Sequence, residues 1–254
     1  MGAVSIGLLV SGGVFLAGLI GLYGHLLLPI SHRSKETEAT VRLGTAMLSL
    51  LSSLVLGLLI ASAKGSWDAN DHAVRAYAAD LVLLDQTLRD YGGDAVEPRA
   101  LLREYTGRMI RDIWPNDGPR KSMIEDRATG EMLERMRERI RALAPLDEPA
   151  KWLQDQALAT HISLLRQRWQ LIEQQEPTVR NVVLMFVVSW IVVIFASFGL
   201  NAPRNIIVVG TFLVCSLAIG GSIFLILEMD NPFTGALAIS SEPMSRAIAH
   251  MQEK

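Results

Sequence analysis

The chain has 254 residues, half of them apolar and one-fifth charged, and its 24 basic and 26 acidic side chains give a formal charge of −2. Residues 64–180 hold 20 of the 26 acids and 18 of the 24 bases, so the rest of the sequence is far more apolar than the mean. This excludes a disordered chain and a strongly basic nucleic-acid binder, and the single Cys215 excludes a disulfide framework or thiolate cluster.

A helix needs roughly 20 apolar residues to cross the hydrocarbon core of a bilayer. The first candidate, residues 4–28, has no ionisable side chain except His25. It lacks a basic segment before it and is long for a leader, so it reads as a span, and Ile6 removes a myristoylation signal at Gly2. The second, residues 43–63, carries no charge and ends at Lys64. Residues 29–42 read as the loop between them.

The insert follows. Val74, Tyr77, Leu81, Leu84, Leu88 and Tyr91 alternate three and four apart, which predicts a helix up to the Gly92-Gly93 break, able to continue the second span. A second helix opens near Pro98 with Leu102, Tyr105, Met109 and Ile113, and residues 114–119 read as a loop. Met132, Met136, Ile140 and Leu143 mark a third helix, closed by Pro145. A fourth begins near Pro149 with Leu158, Ile162, Leu165, Trp169 and Ile172 as its apolar face, and runs toward Pro177. No segment alternates with the period of a strand, and the stripes fit an antiparallel bundle. Two further uncharged spans, 182–200 and 206–227, are joined by a five-residue turn.

The expected fold is therefore an all-α membrane protein with four transmembrane helices and an α-helical bundle inserted between spans two and three. Its parts are a first helix pair over 1–63, a polar insert over 64–180, a second pair over 181–228 and a membrane-surface tail over 229–254. Four spans place both termini and the insert on one side. Lys64, Arg75, Arg166, Arg168 and Arg180 on that side, with Arg246 and Lys254 further out, outnumber Arg33, Lys35, Arg42 and Arg204 on the other. The balance leans toward a cytoplasmic insert in a bacterial inner membrane.

Polar residues inside the spans are costly and so informative. Thr45, Ser49, Ser52 or Ser53, and Gly57 recur at helical spacing in the second span. They suit either a hydroxyl-lined pore or close helix packing with hydroxyls bonded to backbone carbonyls. Gly13, Ala17 and Gly21, like Ser216 and Gly220, form small-residue packing faces. His25 and His32 read as interfacial histidines, and Trp67 and Trp190 as interfacial or packing aromatics. Asp68 and Asp71, beside His72, together with Glu228 and Asp230, offer hard oxygen ligands for Ca²⁺ or simply solvated charges and ion pairs. Asp80 and Asp85 point apart on one helix, and Arg135, Arg137, Arg139 and Arg141 spread around another. There is no phosphate loop, nucleophile elbow or Cys/His cluster, so neither an enzyme nor a cofactor is expected.

In the tail, Asp230, Asn231 and Pro232 stop the last span, Gly235 permits a turn, and Ser240 or Ser241 caps a helix over 243–252 that docks through Met244 and Ile248. The tail text, Leu227-Glu-Met-Asp-Asn-Pro-Phe-Thr-Gly235 followed by Ile239-Ser-Ser-Glu-Pro-Met244, contains Pro232, Phe233, Gly235, Ser241, Glu242 and Pro243. With residues 42–45, Ala79-Asp80 and Leu84-Asp85, it resembles the bacterial membrane family of bestrophin-like domains. That resemblance implies a distant relation to bestrophins, pentameric anion channels with four spans per subunit and a large cytosolic region between spans two and three. The second span here has no Phe, Tyr or Trp where bestrophins have an aromatic-rich neck, and their acidic run after the fourth span is reduced to Glu228 and Asp230. Topology and self-association carry over; a calcium site and anion selectivity do not.

The expected partners are the lipid bilayer, further copies of the chain and, in a channel, ions, with no nucleic acid. The alternative is a membrane-anchored scaffold whose insert binds a cytosolic partner through Tyr105, Trp114, Trp152 and Trp169.

Overall fold

A computed structural model describes residues 2–24, 35–114, 127–173 and 181–252. Among them are eight α-helices and no strand: α1 (Ala3–Gly24), α2 (Lys35–Tyr91), α3 (Val96–Ile113), α4 (Arg127–Arg141), α5 (Glu148–Glu173), α6 (Asn181–Asn201), α7 (Ile206–Met229) and α8 (Glu242–Gln252). Helix α2 starts earlier than expected, because residues 35–42, read as loop, already belong to it. His25, His32, Arg33, Arg180 and Lys254, residues 115–119 of the expected loop, and Pro177 lie outside the described residues.

Four helices are long and apolar enough to cross a membrane: α1, α6, α7 and the first part of α2. They make up one compact unit, Met1–Gly65 with Pro177–Asp230. Helix α1 packs on α6 and α7 at very short range. A methyl group added at Gly21 would strike the Ala196 carbonyl, one at Gly199 the Gly18 carbonyl, and one at Gly220 the Ser11 hydroxyl. Of the small-residue face expected on α1, Ala17 and Gly21 are inside, whereas Gly13 meets nothing; Gly7, Ser11 and Gly18 complete the contact instead. On α7, Ser216 and Gly220 are buried as a pair. Val14, Val187, Ile191, Ile194, Phe195 and Phe212 fill the space between the helices. At the α6–α7 turn, the Asn205 side chain caps α7 by accepting from the Val208 amide at 2.9 Å, and Arg204 donates to the Leu22 carbonyl at 3.2 Å.

The second compact unit is Ser66–Glu176 with Asn231–Lys254, so the tail shares the core of the insert. The α2 seam is longer than the apolar pattern alone implies. Buried Asn70 precedes Val74, Tyr77, Leu81, Leu84 and Leu88 at the same 3–4 rhythm, with half-buried Trp67 before it. On α5 the inward face is displaced from the expected one. Ala157, His161, Leu164, Arg168 and Leu171 are buried, flanked by Leu158, Leu165 and Ile172, while Ile162 and Trp169 are more than half exposed. The physical reason is that three polar residues, Thr160, His161 and Arg168, sit inside, and Thr160 donates to the Gln156 carbonyl of its own helix at 3.0 Å. His161 Nε2 lies 2.8 Å from the Leu133 carbonyl of α4.

Polar groups tie the helices together. Tyr77 and Tyr105 share a hydroxyl–hydroxyl bond of 2.5 Å between α2 and α3, and Tyr105 lies 3.0 Å from Met109 Sδ. Burial pushes both phenols up, Tyr105 to about 12, so both are neutral. Asp80 accepts from Ser163 and Gln167 of α5, each at 2.7 Å. Gln154 donates to the Ile140 and Leu143 carbonyls, covering acceptors that the end of α4 leaves open.

His161 gives this unit an acid-sensitive element. Burial holds its imidazole below the usual value of 6.5, with the guanidinium groups of Arg137 and Arg141 acting in the same direction and the Leu133 carbonyl and Glu134 against it. The unfolded chain therefore takes up the proton more readily than the folded one. Stability is full above about pH 6.5 and falls as pH drops toward the depressed folded value. A thermal-unfolding series across this window should show the loss, and His161→Leu should flatten it.

Candidate functional site

The second span is the leading candidate by sequence, and its hydroxyls do not share one environment. Thr45 is buried and its hydroxyl lies 2.7 Å from that of Ser197 on α6. Ser49, half-buried, donates to the Thr45 carbonyl at 2.8 Å, and exposed Ser53 donates to the Leu50 carbonyl at 3.0 Å. Ser52 is 4% exposed and its hydroxyl has no hydrogen-bond partner. Thr45 and Ser52 thus turn into their own unit, whereas Ser49 and Ser53 lie at the edge of the outward face.

That outward face is apolar. Leu43, Met47, Leu50, Leu54 and Leu58 are each more than 60% exposed, with Gly57 and Ala61 beside them. In the insert unit, the exposed positions of α2 are Ala69, His72, Arg75, Ala76, Ala79, Leu83, Gln86 and Asp90, a mixed polar and small-residue surface.

The acidic residues considered for a cation do not form a cage. Asp71 is engaged by Arg75 at 2.8 and 3.4 Å, Glu228 is buried at the end of α7, and Asp68 and Asp230 have interactions of their own. Among the described residues, no group of three or more His, Cys, Asp or Glu side chains is placed to hold a metal ion. Asp80 and Asp85 are structural, each serving a different neighbouring helix.

The tail motif builds a clasp on the insert. Pro232 and Phe233 are buried, and the Phe233 ring meets Trp114 edge-on at 5.8 Å. Gly235 has φ 94°, a conformation that favours glycine, which lets the chain reverse so that the Ile239 amide reaches the Pro232 carbonyl at 2.7 Å. Trp67 donates its indole N–H to the Leu237 carbonyl at 2.8 Å, and Trp114 donates to Ile239 at 2.7 Å. The Ser240 hydroxyl accepts from the Glu242 amide at 3.1 Å, and the Ser241 carbonyl accepts from the Ser245 amide at 2.9 Å, starting α8. Glu242 is exposed beside Arg246 at 3.6 Å, and Pro243 is half-buried. Met244, Ala247 and Met251 then enter the core. Trp67 and Trp114 are therefore tail anchors, a role that the sequence does not disclose. Their wide separation along the chain from their partners hides it.

The aromatic set expected to meet a cytosolic partner is divided. Tyr105 is fully buried and Trp114 is half-buried under the tail, while Trp152 and Trp169 are exposed on α5.

Comparison with known proteins is decisive at the family level. The family model for the bestrophin-like domain matches residues 12–244. The chain belongs to the bestrophin-like domain family. Crystal structures of variants of a bacterial bestrophin homolog from Klebsiella pneumoniae share its fold. One matches with TM-score 0.69 at 12% identity, covering 96% of each chain. Another matches with TM-score 0.69 at 14% identity over 99% of this chain and 97% of that one. A third gives 0.65 at 14% identity over 95% and 99%. No curated protein matches this bestrophin-like sequence significantly.

Proposed function

We propose that this bestrophin-like chain is one subunit of an oligomeric ion channel of a bacterial inner membrane. Helix α2 faces the conduction axis, the insert forms a cytoplasmic vestibule, and both termini lie on the cytoplasmic side. The observation that carries this reading is the outward face of α2. Leu43, Met47, Leu50, Leu54 and Leu58 form an exposed apolar face along the membrane part of α2, which further copies of the chain cover in a ring. In such a ring, Leu50, Leu54 and Leu58 form an apolar constriction that controls wetting, and the hydroxyls of Ser49 and Ser53 flank it.

The test is reconstitution in planar bilayers. Replacing Ser49 and Ser53 together with phenylalanine should lower conductance by at least tenfold, roughly 1.4 kcal/mol in the permeation barrier, while the detergent-solubilised particle keeps its mass. Unchanged currents would remove the two serines from the pore. A second reading, a membrane-anchored scaffold, draws on exposed Trp152, Ile162 and Trp169 of α5. It expects no conductance from the purified chain under any condition.

A further inference from the structure

Among the described residues, His161 of α5 is the insert's one buried histidine, and its Nε2 lies 2.8 Å from the Leu133 carbonyl of α4. A carbonyl only accepts, so Nε2 carries the proton and Nδ1 keeps a bare lone pair. Nδ1 is closed off from solvent and has no hydrogen-bond partner among the described residues. The ring therefore fits this site in one protonation state. A proton on Nδ1 creates a charged N–H that faces no acceptor, which the closed core does not accommodate.

The surroundings give that charge no relief. Glu134, Arg137 and Arg141 of α4 act on the ring, one acid against two bases, and Glu134 is already engaged by Arg137. On α2, the acid that meets α5 is Asp80, taken by Ser163 and Gln167. The buried phenols, Tyr77 of α2 and Tyr105 of α3, are neutral, and Arg168 further along α5 has the same sign as an imidazolium. The other two described histidines of the unit, His72 and His250, are exposed, so protonating them buries no charge.

Parting α4 from α5 is the movement that brings water to Nδ1. The remaining helices keep their own ties when α4 leaves. Tyr77–Tyr105 and Asp85–Arg99 join α2 to α3, and Asp80–Ser163 joins α2 to α5. Helix α4 meets α5 through the Leu133 carbonyl and, at its end, through Gln154, while its pair with α3, Arg139–Glu97, is exposed. We propose that α4 is an acid-operated flap: proton uptake by His161 favours a state in which α4 swings off α5 and uncovers Met132, Met136 and Ile140, while α2, α3 and α5 stay together. This inference does not depend on conduction, because its readout is local opening.

The experiment is hydrogen–deuterium exchange of the full chain in detergent micelles from pH 7.5 to 5.0, read by mass spectrometry. Labelling times are scaled for the intrinsic pH dependence of amide exchange. The open state binds the proton more readily than the closed one, so opening grows toward tenfold per pH unit below about 6.5. It levels off below the depressed value of the closed state. Peptides within 129–141 should lose protection by that factor, while 77–88 of α2 and 102–113 of α3 keep theirs. His161→Gln, whose amide still donates to the Leu133 carbonyl but does not titrate, should abolish the acid response of α4. The comparison among peptides of the parent chain decides the matter even where that variant folds poorly. The proposal is overturned if α4 protection is independent of pH, or if α2 and α3 lose protection by the same factor, which marks opening of the whole insert. It is also overturned if His161→Gln keeps the response.

Discussion

Replacing Asp85 with alanine should destabilise the insert by about 3–5 kcal/mol, the cost typical of removing one partner from a buried ion pair. Asp85 is 1% exposed, and its two oxygens accept from Arg99 at 3.0 and 3.2 Å and from Arg89 at 2.9 Å. The fork from Arg99 joins α2 to α3 across the Gly92-Gly93 break, so the alanine variant loses the link between two helices and leaves a guanidinium facing the core. The exposed pair Arg139–Glu97, at 3.0 Å, provides the control. Glu97→Ala should cost no more than about 1 kcal/mol, because solvent screens that pair. Chemical denaturation followed by tryptophan fluorescence separates the two outcomes, and equal small losses would show that Asp85 is not a fastening point.

The second large effect belongs to the membrane unit. Gly21→Val should lower the thermal stability of the solubilised protein sharply and reduce its monodisperse yield. The new side chain meets the backbone carbonyl of Ala196, which cannot rotate aside as a side chain would. Ordinary overpacking costs about 1–3 kcal/mol; here α1 and α6 must part along their whole contact, so the loss should reach the top of that range or pass it. Gly12→Val, at a position with nothing within 4 Å, should be close to neutral. If both variants behave alike, the close approach of α1 and α6 is not what holds this unit together.

Much of this architecture is legible in the amino-acid order. The four apolar stretches and the α2 seam from Val74 to Leu88 follow from length and period, which physics constrains tightly. Sequence and structure part where polar residues lie inside. Apolar spacing draws the α5 face through Ile162 and Trp169 because both are large and apolar, yet the protein buries His161 and Arg168 and exposes the two others. Period alone cannot see that a buried histidine finds the Leu133 carbonyl on another helix. The same holds for the candidate pore. Spacing puts Thr45, Ser49, Ser52 and Ser53 on one stripe, but the stripe is broad enough that its two ends have different neighbours. The tail motif is recognisable as text, whereas its attachment to Trp67 and Trp114 spans 170 and 125 residues and leaves no local signature.

The shared core of insert and tail also sets an order on biosynthesis. Phe233, Ile239, Met244, Ala247 and Met251 complete a core whose other members all precede residue 177. Helices α6 and α7 are translated between the two. At about 5–20 residues per second, the ribosome needs several seconds to travel from one part to the other. Throughout that interval the insert lacks its lid, and Trp114 lacks the Phe233 ring and the Ile239 carbonyl that it meets in the folded protein. Only after the last hydrophobic hairpin has been made do the residues that close it emerge. A chain truncated before residue 231 would have α1, α2, α6 and α7 but would lack five residues of the insert's core.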